Sequence, residues 1–96
     1  MKTLENIKAI LTNQKERLFS KYPISNLAIF GSVSRGDDTS ESDVDILVDF
    51  HQPVGIEFID LANELQDILN KKVDLVSRKG IKQRYFKHIE KELKYV

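Results

Sequence analysis

Residues Ile29 to Val48 read IFGSVSRGDDTSESDVDILV, and the rest of the chain can be interpreted outward from this stretch. An apolar run ends at Gly31-Ser32, a polar segment rich in turn-forming residues follows, and Asp43-Val44-Asp45 opens a second apolar run. Short apolar runs bounded by polar turn residues are typical of buried strands. The stretch therefore predicts two strands joined by a polar connection.

Two carboxylates stand two residues apart at the start of the second run. Successive side chains of a strand point to opposite faces, so Asp43 and Asp45 share a face and lie roughly 7 Å apart along the backbone. Such a pair can converge on one or two hard cations, and Mg²⁺ favours carboxylate and phosphate oxygens. The alternative is a purely structural role in which Asp43 caps a turn. This alternative does not explain Asp45, which would be an acid without a partner inside an apolar strand. The pair therefore indicates a metal site.

The Gly31-Ser32 turn follows the first strand directly. Its backbone N–H groups and the Ser32 hydroxyl can hold a phosphate, and Gly31 lets the backbone approach a ligand because it has no Cβ. Ser32 can equally cap the short helix that follows. For Arg35 the sequence leaves open a phosphate contact or an ion pair with Asp37 or Asp38. Together with the carboxylate pair, the turn predicts a site for a metal-bound triphosphate.

Residues 73–76, VDLV, form a third apolar run that is interrupted by one acid, Asp74. If this strand lies beside the second strand, Asp74 completes a triad with Asp43 and Asp45. The alternative is an acid at a strand end near the preceding lysine pair.

Hydrophobic periodicity extends the prediction along the chain. The predicted elements are a helix over 3–22, a strand over 26–30, a short helix after the Gly-Ser turn, a strand over 44–50, a helix over 55–69, a strand over 73–76 and a helix over 83–93. The last helix is expected to bury Tyr85, Phe86, Ile89 and Leu93. This order predicts a small α/β or α+β fold with helices mainly on one face of the sheet.

Composition narrows the classes of function. The 96 residues predict one domain over 1–96. Basic and acidic residues balance at 15 each, which argues against nucleic acid as a direct partner. The absence of cysteine excludes disulfides, zinc–thiolate sites and thiol catalysis. No apolar run suits a bilayer span or a secretory signal, so we expect a cytoplasmic protein without a membrane partner.

The combined motif resembles the signature of the DNA polymerase β-like nucleotidyltransferase superfamily, in which Gly-Ser on a short helix precedes Asp-x-Asp on the next strand. Gly31-Ser32 and Asp43-Val44-Asp45 carry the match, and Asp74 and the terminal Tyr95-Val96 extend it over most of the chain. The chain is similar to the minimal nucleotidyltransferases (MNT), the antitoxin partners of HEPN-domain ribonuclease toxins. The resemblance implies a mixed sheet with the three acids clustered at one edge of the fold.

The resemblance also implies a reaction, the transfer of AMP from ATP to a hydroxyl with release of pyrophosphate. Asp43 and Asp45 would hold two Mg²⁺ ions, and Asp74 would ligate one of them or accept the hydroxyl proton. The Gly-Ser turn would hold the β- and γ-phosphates through backbone and side-chain donors. The implied site has Asp43, Asp45 and Asp74 as catalytic and metal-binding residues, and Gly31, Ser32 and Arg35 as nucleotide-binding residues.

Three classes of function compete for the same motif. The resemblance implies that the acceptor is a tyrosine of a HEPN toxin, whose ribonuclease activity the modification would silence. The first alternative is a non-catalytic antitoxin that acts by binding alone, against which the intact acids argue. The second alternative is a transferase that acts on a small molecule or RNA with a separate helical subunit. The expected partners are a HEPN-domain protein and a nucleoside triphosphate, and a homo-oligomer stays open.

Overall fold

A computed structural model describes residues 3–96, and over that range helices and strands follow in the predicted order with one further strand at the end. The elements are α1 (Thr3–Lys21), β1 (Ile24–Phe30), α2 (Gly31–Arg35), β2 (Val44–Phe50), α3 (Glu57–Leu69), β3 (Val73–Ser77), α4 (Gln83–Ile89) and β4 (Lys94–Tyr95). Single-turn 3₁₀ helices lie at Arg78–Gly80 and Glu90–Glu92. Within residues 3–96 no helix has both the length and the apolar character that crossing a bilayer requires.

The two long helices bury residues that share one side of each helix. These residues are Ile7, Leu11 and Leu18 of α1 and Leu61, Leu65 and Leu69 of α3. Spacings of four and seven bring side chains to the same helix face. α1 ends just before Tyr22-Pro23, because a residue that precedes proline avoids the helical region. α3 ends at Asn70, which adopts a left-handed conformation with φ of 52°.

The four strands form one mixed sheet in the order β3-β2-β1-β4. β1 pairs antiparallel with both β2 and β4, whereas β2 and β3 are parallel. A parallel pair needs a crossover connection, and α3 supplies it. The mixed sheet that the resemblance implies is therefore confirmed, and β2 lies inside the sheet between β1 and β3.

Alternate residues of β2 face different cores. Val44, Ile46 and Val48 belong to the large core that α1 and α3 cover. Leu47 belongs to a smaller cluster with Ile89 of α4, on the opposite face. The helices lie mainly on one face, as predicted, and the short α4 covers part of the other. The acids that share the face of Leu47 therefore lie on the same side of the sheet as α4.

The C-terminal segment differs from the prediction. The helix predicted over 83–93 ends at Ile89, and a 3₁₀ turn leads into the unpredicted β4. β4 has two residues, too few for an alternating pattern to be visible, and its pairing with Ala28 and Ile29 decides its conformation. The expected burial of Tyr85 is also wrong, because 45% of Tyr85 is exposed.

Candidate active site

Asp45 and Asp74 are neighbours across the parallel pair of strands. They are register partners on β2 and β3, and partners in adjacent strands lie about 5 Å apart at the backbone. Both residues alternate with members of the large core, so both point to the face that carries α4. The condition that the sequence set for Asp74 to join the site, a third strand beside β2, is fulfilled, because the two strands are adjacent.

Asp43 lies at the entrance to β2 and is partly exposed. The N–H of the next residue, Val44, donates to the carbonyl oxygen of Lys72 at 2.9 Å, which ties the start of β2 to the start of β3. Burial, followed by the negative charges of Asp74 and Asp43, raises the pKa of Asp45 to about 6. The negative charges of Asp74 and Asp43 therefore both act on Asp45, and a cation would relieve this repulsion.

Gly31 brings the Gly-Ser turn into contact with the carboxylate of Asp45. Its φ of +76° lies in the left-handed region, which L-residues with a side chain rarely adopt. A Cβ at this position would lie 2.1 Å from Oδ2 of Asp45. The Asp45 carboxylate thus occupies the space that a side chain would need, so both the backbone conformation and the packing require glycine here.

Ser32 and Arg35 occupy the first and last turns of the five-residue helix α2. The Ser32 carbonyl accepts hydrogen bonds from the N–H groups of Gly36 and Asp37 at 2.9 and 3.0 Å, which closes the helix. Arg35 donates through Nε to Oδ2 of Asp37 at 3.2 Å, one of the two ion pairs that the sequence left open. Its Nη1 donates to Oε2 of Glu92 at 3.0 Å. The Arg35 guanidinium is therefore held between two carboxylates.

Sequence reasoning missed Glu92 at this site. Oε1 of Glu92 accepts the Gly31 N–H at 3.0 Å, across 61 positions of the chain. Nothing in the local pattern EKELKYV (residues 90–96) distinguishes Glu92 from Glu90, because the contact depends on where β4 places the segment.

Tyr85 of α4 is a second residue near the acids. Burial, and after it the negative charges of Asp45, Asp74 and Glu92, raises the pKa of Tyr85. Its partly exposed ring thus stands in the field of the acid cluster. The helical spacing in the sequence groups Tyr85 with the apolar Phe86. It does not predict that Tyr85 lies near the acids.

The donor set suits a hard divalent cation that is shared with a phosphate. Within residues 3–96 no group of three or more His, Cys, Asp or Glu side chains is arranged to hold a metal ion by itself. Mg²⁺ is usually bound by one or two carboxylates together with phosphates of the substrate and water. The paired Asp45 and Asp74, with an elevated pKa at Asp45 that a cation would lower, fit this mode of binding.

Comparison with known proteins places this arrangement in a family. The family model of the nucleotidyltransferase domain matches residues 11–96 of this chain. A protein of Methanocaldococcus jannaschii, provisionally named a protein adenylyltransferase, is 44% identical over 98 residues that cover all of both chains. Protein adenylyltransferase MntA of Thermococcus cleftensis is 40% identical over 97 residues, which cover 100% of this chain and 98% of that one. A crystal structure of a toxin–antitoxin with AMP-PNP superimposes with a TM-score of 0.73 at 26% identity, over 86% of this chain and 69% of that chain.

The family match spans most of the chain and includes every predicted site residue. The two relatives are similar over their whole lengths, so the likeness is not confined to the motif. The four-stranded mixed sheet and the Gly-Ser and Asp-x-Asp segments agree with it. The chain therefore belongs to the nucleotidyltransferase family, as a minimal nucleotidyltransferase of the protein adenylyltransferase type that is similar to the MntA antitoxins.

Proposed function

We propose that this enzyme transfers AMP from ATP to a tyrosine hydroxyl of a HEPN-domain toxin and thereby silences the toxin. One observation carries the proposal: Asp45, the register partner of Asp74, lies directly against Gly31, so carboxylates and a candidate phosphate site are neighbours. This juxtaposition suits an α-phosphate that must be close both to a cation and to an acceptor. The names of the relatives support protein as the class of acceptor.

We assign the binding of Mg²⁺ to Asp43, Asp45 and Asp74. When bound, Mg²⁺ would neutralise charge on the triphosphate and lower the pKa of the acceptor hydroxyl. In the transfer itself the acceptor oxygen forms a bond to the α-phosphorus, and the bond from that phosphorus to the bridging oxygen breaks to release pyrophosphate. We assign Asp74, the more exposed member of the register pair, to receive the hydroxyl proton.

Gly31 and Ser32 are assigned to the phosphates in different ways. The Gly31 N–H donates to Oε1 of Glu92. Gly31 therefore contributes mainly by the absence of a side chain, which keeps the turn close to Asp45. The partly exposed Ser32 is the donor that we place on the β- or γ-phosphate. Arg35 pairs with Asp37 through Nε and with Glu92 through Nη1, and we assign Nη2 of its guanidinium to a phosphate.

A tyrosine is the acceptor that the chemistry favours. Its ordinary pKa of about 10 lies well below that of a ribose hydroxyl, so it ionises more readily beside a cation. Balanced charge gives the chain no broad surface for a nucleic-acid backbone. The structural relative that holds AMP-PNP is a toxin–antitoxin, which supports a toxin partner and ATP as the donor.

The test mixes the chain, ATP and Mg²⁺ with a candidate HEPN-domain toxin and locates any added AMP by peptide mass spectrometry. We expect AMP on a tyrosine of the partner, and none with Asp45→Asn. A Tyr→Phe change at the modified position of the partner should abolish the signal. An unmodified but fully inhibited partner would contradict transfer and favour inhibition by binding alone. Modified RNA ends or a modified small molecule would contradict the tyrosine acceptor.

A further inference from the structure

Glu92 contacts both ends of α2. Its Oε1 accepts the N–H of Gly31 and its Oε2 accepts Nη1 of Arg35, each at 3.0 Å. Its backbone carbonyl also accepts the hydroxyl of Ser34. The Glu92 side chain is only 18% exposed. One residue of the C-terminal segment thus holds the first, fourth and fifth residues of the helix that carries the Gly-Ser turn.

α2 needs such an external partner. A five-residue helix is too short to be stable alone, because nucleation is costly and few internal hydrogen bonds repay it. The residue that precedes the helix, Phe30, has no side chain that can cap it. A carboxylate at the first N–H satisfies an otherwise unpaired donor and interacts favourably with the helix dipole. Glu92 performs this capping from a distant part of the sequence.

The position of α2 matters to the acid cluster. The Cα of Gly31 lies so close to the Asp45 carboxylate that a Cβ there would overlap it. A shift of α2 by even a fraction of an ångström therefore changes the room available to Asp45 or opens a gap beside it. The segment that holds Glu92 is anchored in turn, because β4 pairs with β1 and the Val96 N–H donates to the carbonyl of Leu27 at 2.9 Å.

We propose that Glu92 is a positioning residue of the nucleotidyltransferase site, which holds the Gly31–Arg35 helix against Asp45 and fixes the direction of the Arg35 guanidinium. The proposal rests on the proposed function of that site. Glu92 acts through Gly31 and Arg35, so its removal should weaken the binding of the triphosphate more than it slows the transfer. The C-terminal segment is accordingly part of the site, although it contributes none of its acids.

The principal test variant is Glu92→Gln, which keeps the shape of the side chain. Its amide oxygen can accept from only one of the two donors, and its NH₂ group then faces the other donor. We expect the KM for ATP and the Kd for AMP-PNP with Mg²⁺ to rise about tenfold or more, a size typical of groups that orient ligand-binding residues. kcat should fall by less than about threefold, because the β2–β3 pairing that sets Asp45 beside Asp74 does not involve Glu92.

Glu90→Gln is the matched control, because Glu90 is an exposed glutamate in the same 3₁₀ turn. It should leave the KM, the Kd and the melting temperature unchanged. Arg35→Gln combined with Glu92→Gln should cost less than the sum of the two single changes, because both remove the same ion pair. Equal KM values for Glu92→Gln and Glu90→Gln would overturn the proposal. Tighter AMP-PNP binding by Glu92→Gln would also overturn it, since Glu92 would then compete with phosphate.

An NMR comparison separates this inference from the proposed function. The backbone amide resonance of Gly31 and the carboxyl carbon resonance of Asp45 should both move in Glu92→Gln and stay in place in Glu90→Gln. Unmoved resonances would refute the positioning role whatever the activity. Failure of the unaltered chain to bind AMP-PNP would refute the proposed function, while the two resonances would still report on Glu92.

Discussion

Burial and neighbouring negative charges both raise the pKa of the Asp45 carboxyl group. Burial, then Asp74 and Asp43, raises its pKa to about 6, above the value of about 4 expected in an unfolded chain. A raised carboxyl pKa means that folding favours the protonated form. The resulting stabilisation is fully present below about pH 4 and is lost as the pH rises through about 6. The ionised Asp45 carboxylate therefore carries an electrostatic cost at neutral pH.

Asp45→Asn should remove that cost. We expect the variant to be more stable than the unaltered chain by about 1 kcal/mol at pH 7.5, a figure reduced because the group is partly open to solvent, and to lose this advantage at pH 4. Urea denaturation at the two pH values measures the difference. Asp49→Asn, on the same face of β2, serves as the control. A variant less stable than the unaltered chain at pH 7.5 would contradict the repulsion that we describe.

Gly31 and Gly36 form a matched pair at the two ends of α2. Both have positive φ, 76° and 84°, but a Cβ at Gly36 would meet no atom within 4 Å, whereas one at Gly31 would overlap Asp45. Gly36→Ala should cost about 1–2 kcal/mol through backbone strain, and Gly31→Ala should cost more, because the overlap with Asp45 adds to the same strain. Only Gly31→Ala should also reduce AMP transfer sharply. Urea denaturation and transfer rates of the two variants check this, and equal losses of activity would show that the contact with Asp45 is unimportant.

At the scale of elements, α1 and α3 are joined by a polar cluster at the rim of the large core. Glu64 of α3 accepts hydrogen bonds from Lys21 Nζ at 3.0 Å and from Tyr22 Oη at 2.8 Å, and it pairs with Arg17. Burial opposes ionisation of Glu64, but these bonds outweigh it and lower the pKa to about 2. A lowered carboxyl pKa stabilises the fold above about pH 4.5, and the stabilisation is lost as the pH falls through about 2.

Glu64→Gln should therefore destabilise the chain by about 1 kcal/mol at pH 7, since Arg17 and Lys21 are half exposed and the pair is screened by solvent. The difference should shrink as the pH falls from about 4.5 towards 2. Thermal melts of the variant and of Asp67→Asn, an exposed acid one turn further along α3, test the expectation. A destabilisation that stays constant down to pH 2 would mean that packing, not charge, is lost.

At the scale of the whole molecule, the residues of the site come from four separate segments, α2, β2, β3 and the turn before β4. They meet only when the large core has brought the sheet together. Leu65 is fully buried in that core, whereas Ile59 of the same helix is 56% exposed. Leu65→Ala should cost about 2–5 kcal/mol and Ile59→Ala less than about 0.5 kcal/mol.

Loss of AMP transfer by Leu65→Ala on heating should follow its unfolded fraction. Circular dichroism and transfer rates over the same temperatures measure both quantities. Activity lost well below the melting transition would show that the site opens independently of the core.

The sequence by itself predicted the elements up to β3 and the candidate acids. The period of two in a strand predicts that Asp43 and Asp45 share a face, and the Gly-Ser and Asp-x-Asp spacing predicts Gly31, Asp43 and Asp45 as site residues, because these patterns depend on near neighbours along the chain. The tertiary structure alone decided that β2 and β3 are parallel neighbours, which makes Asp45 and Asp74 a pair. It also decided that Glu92 caps α2 from 61 positions away. Contacts of this kind depend on strand order and on a two-residue strand, and neither leaves a periodic signal in the sequence.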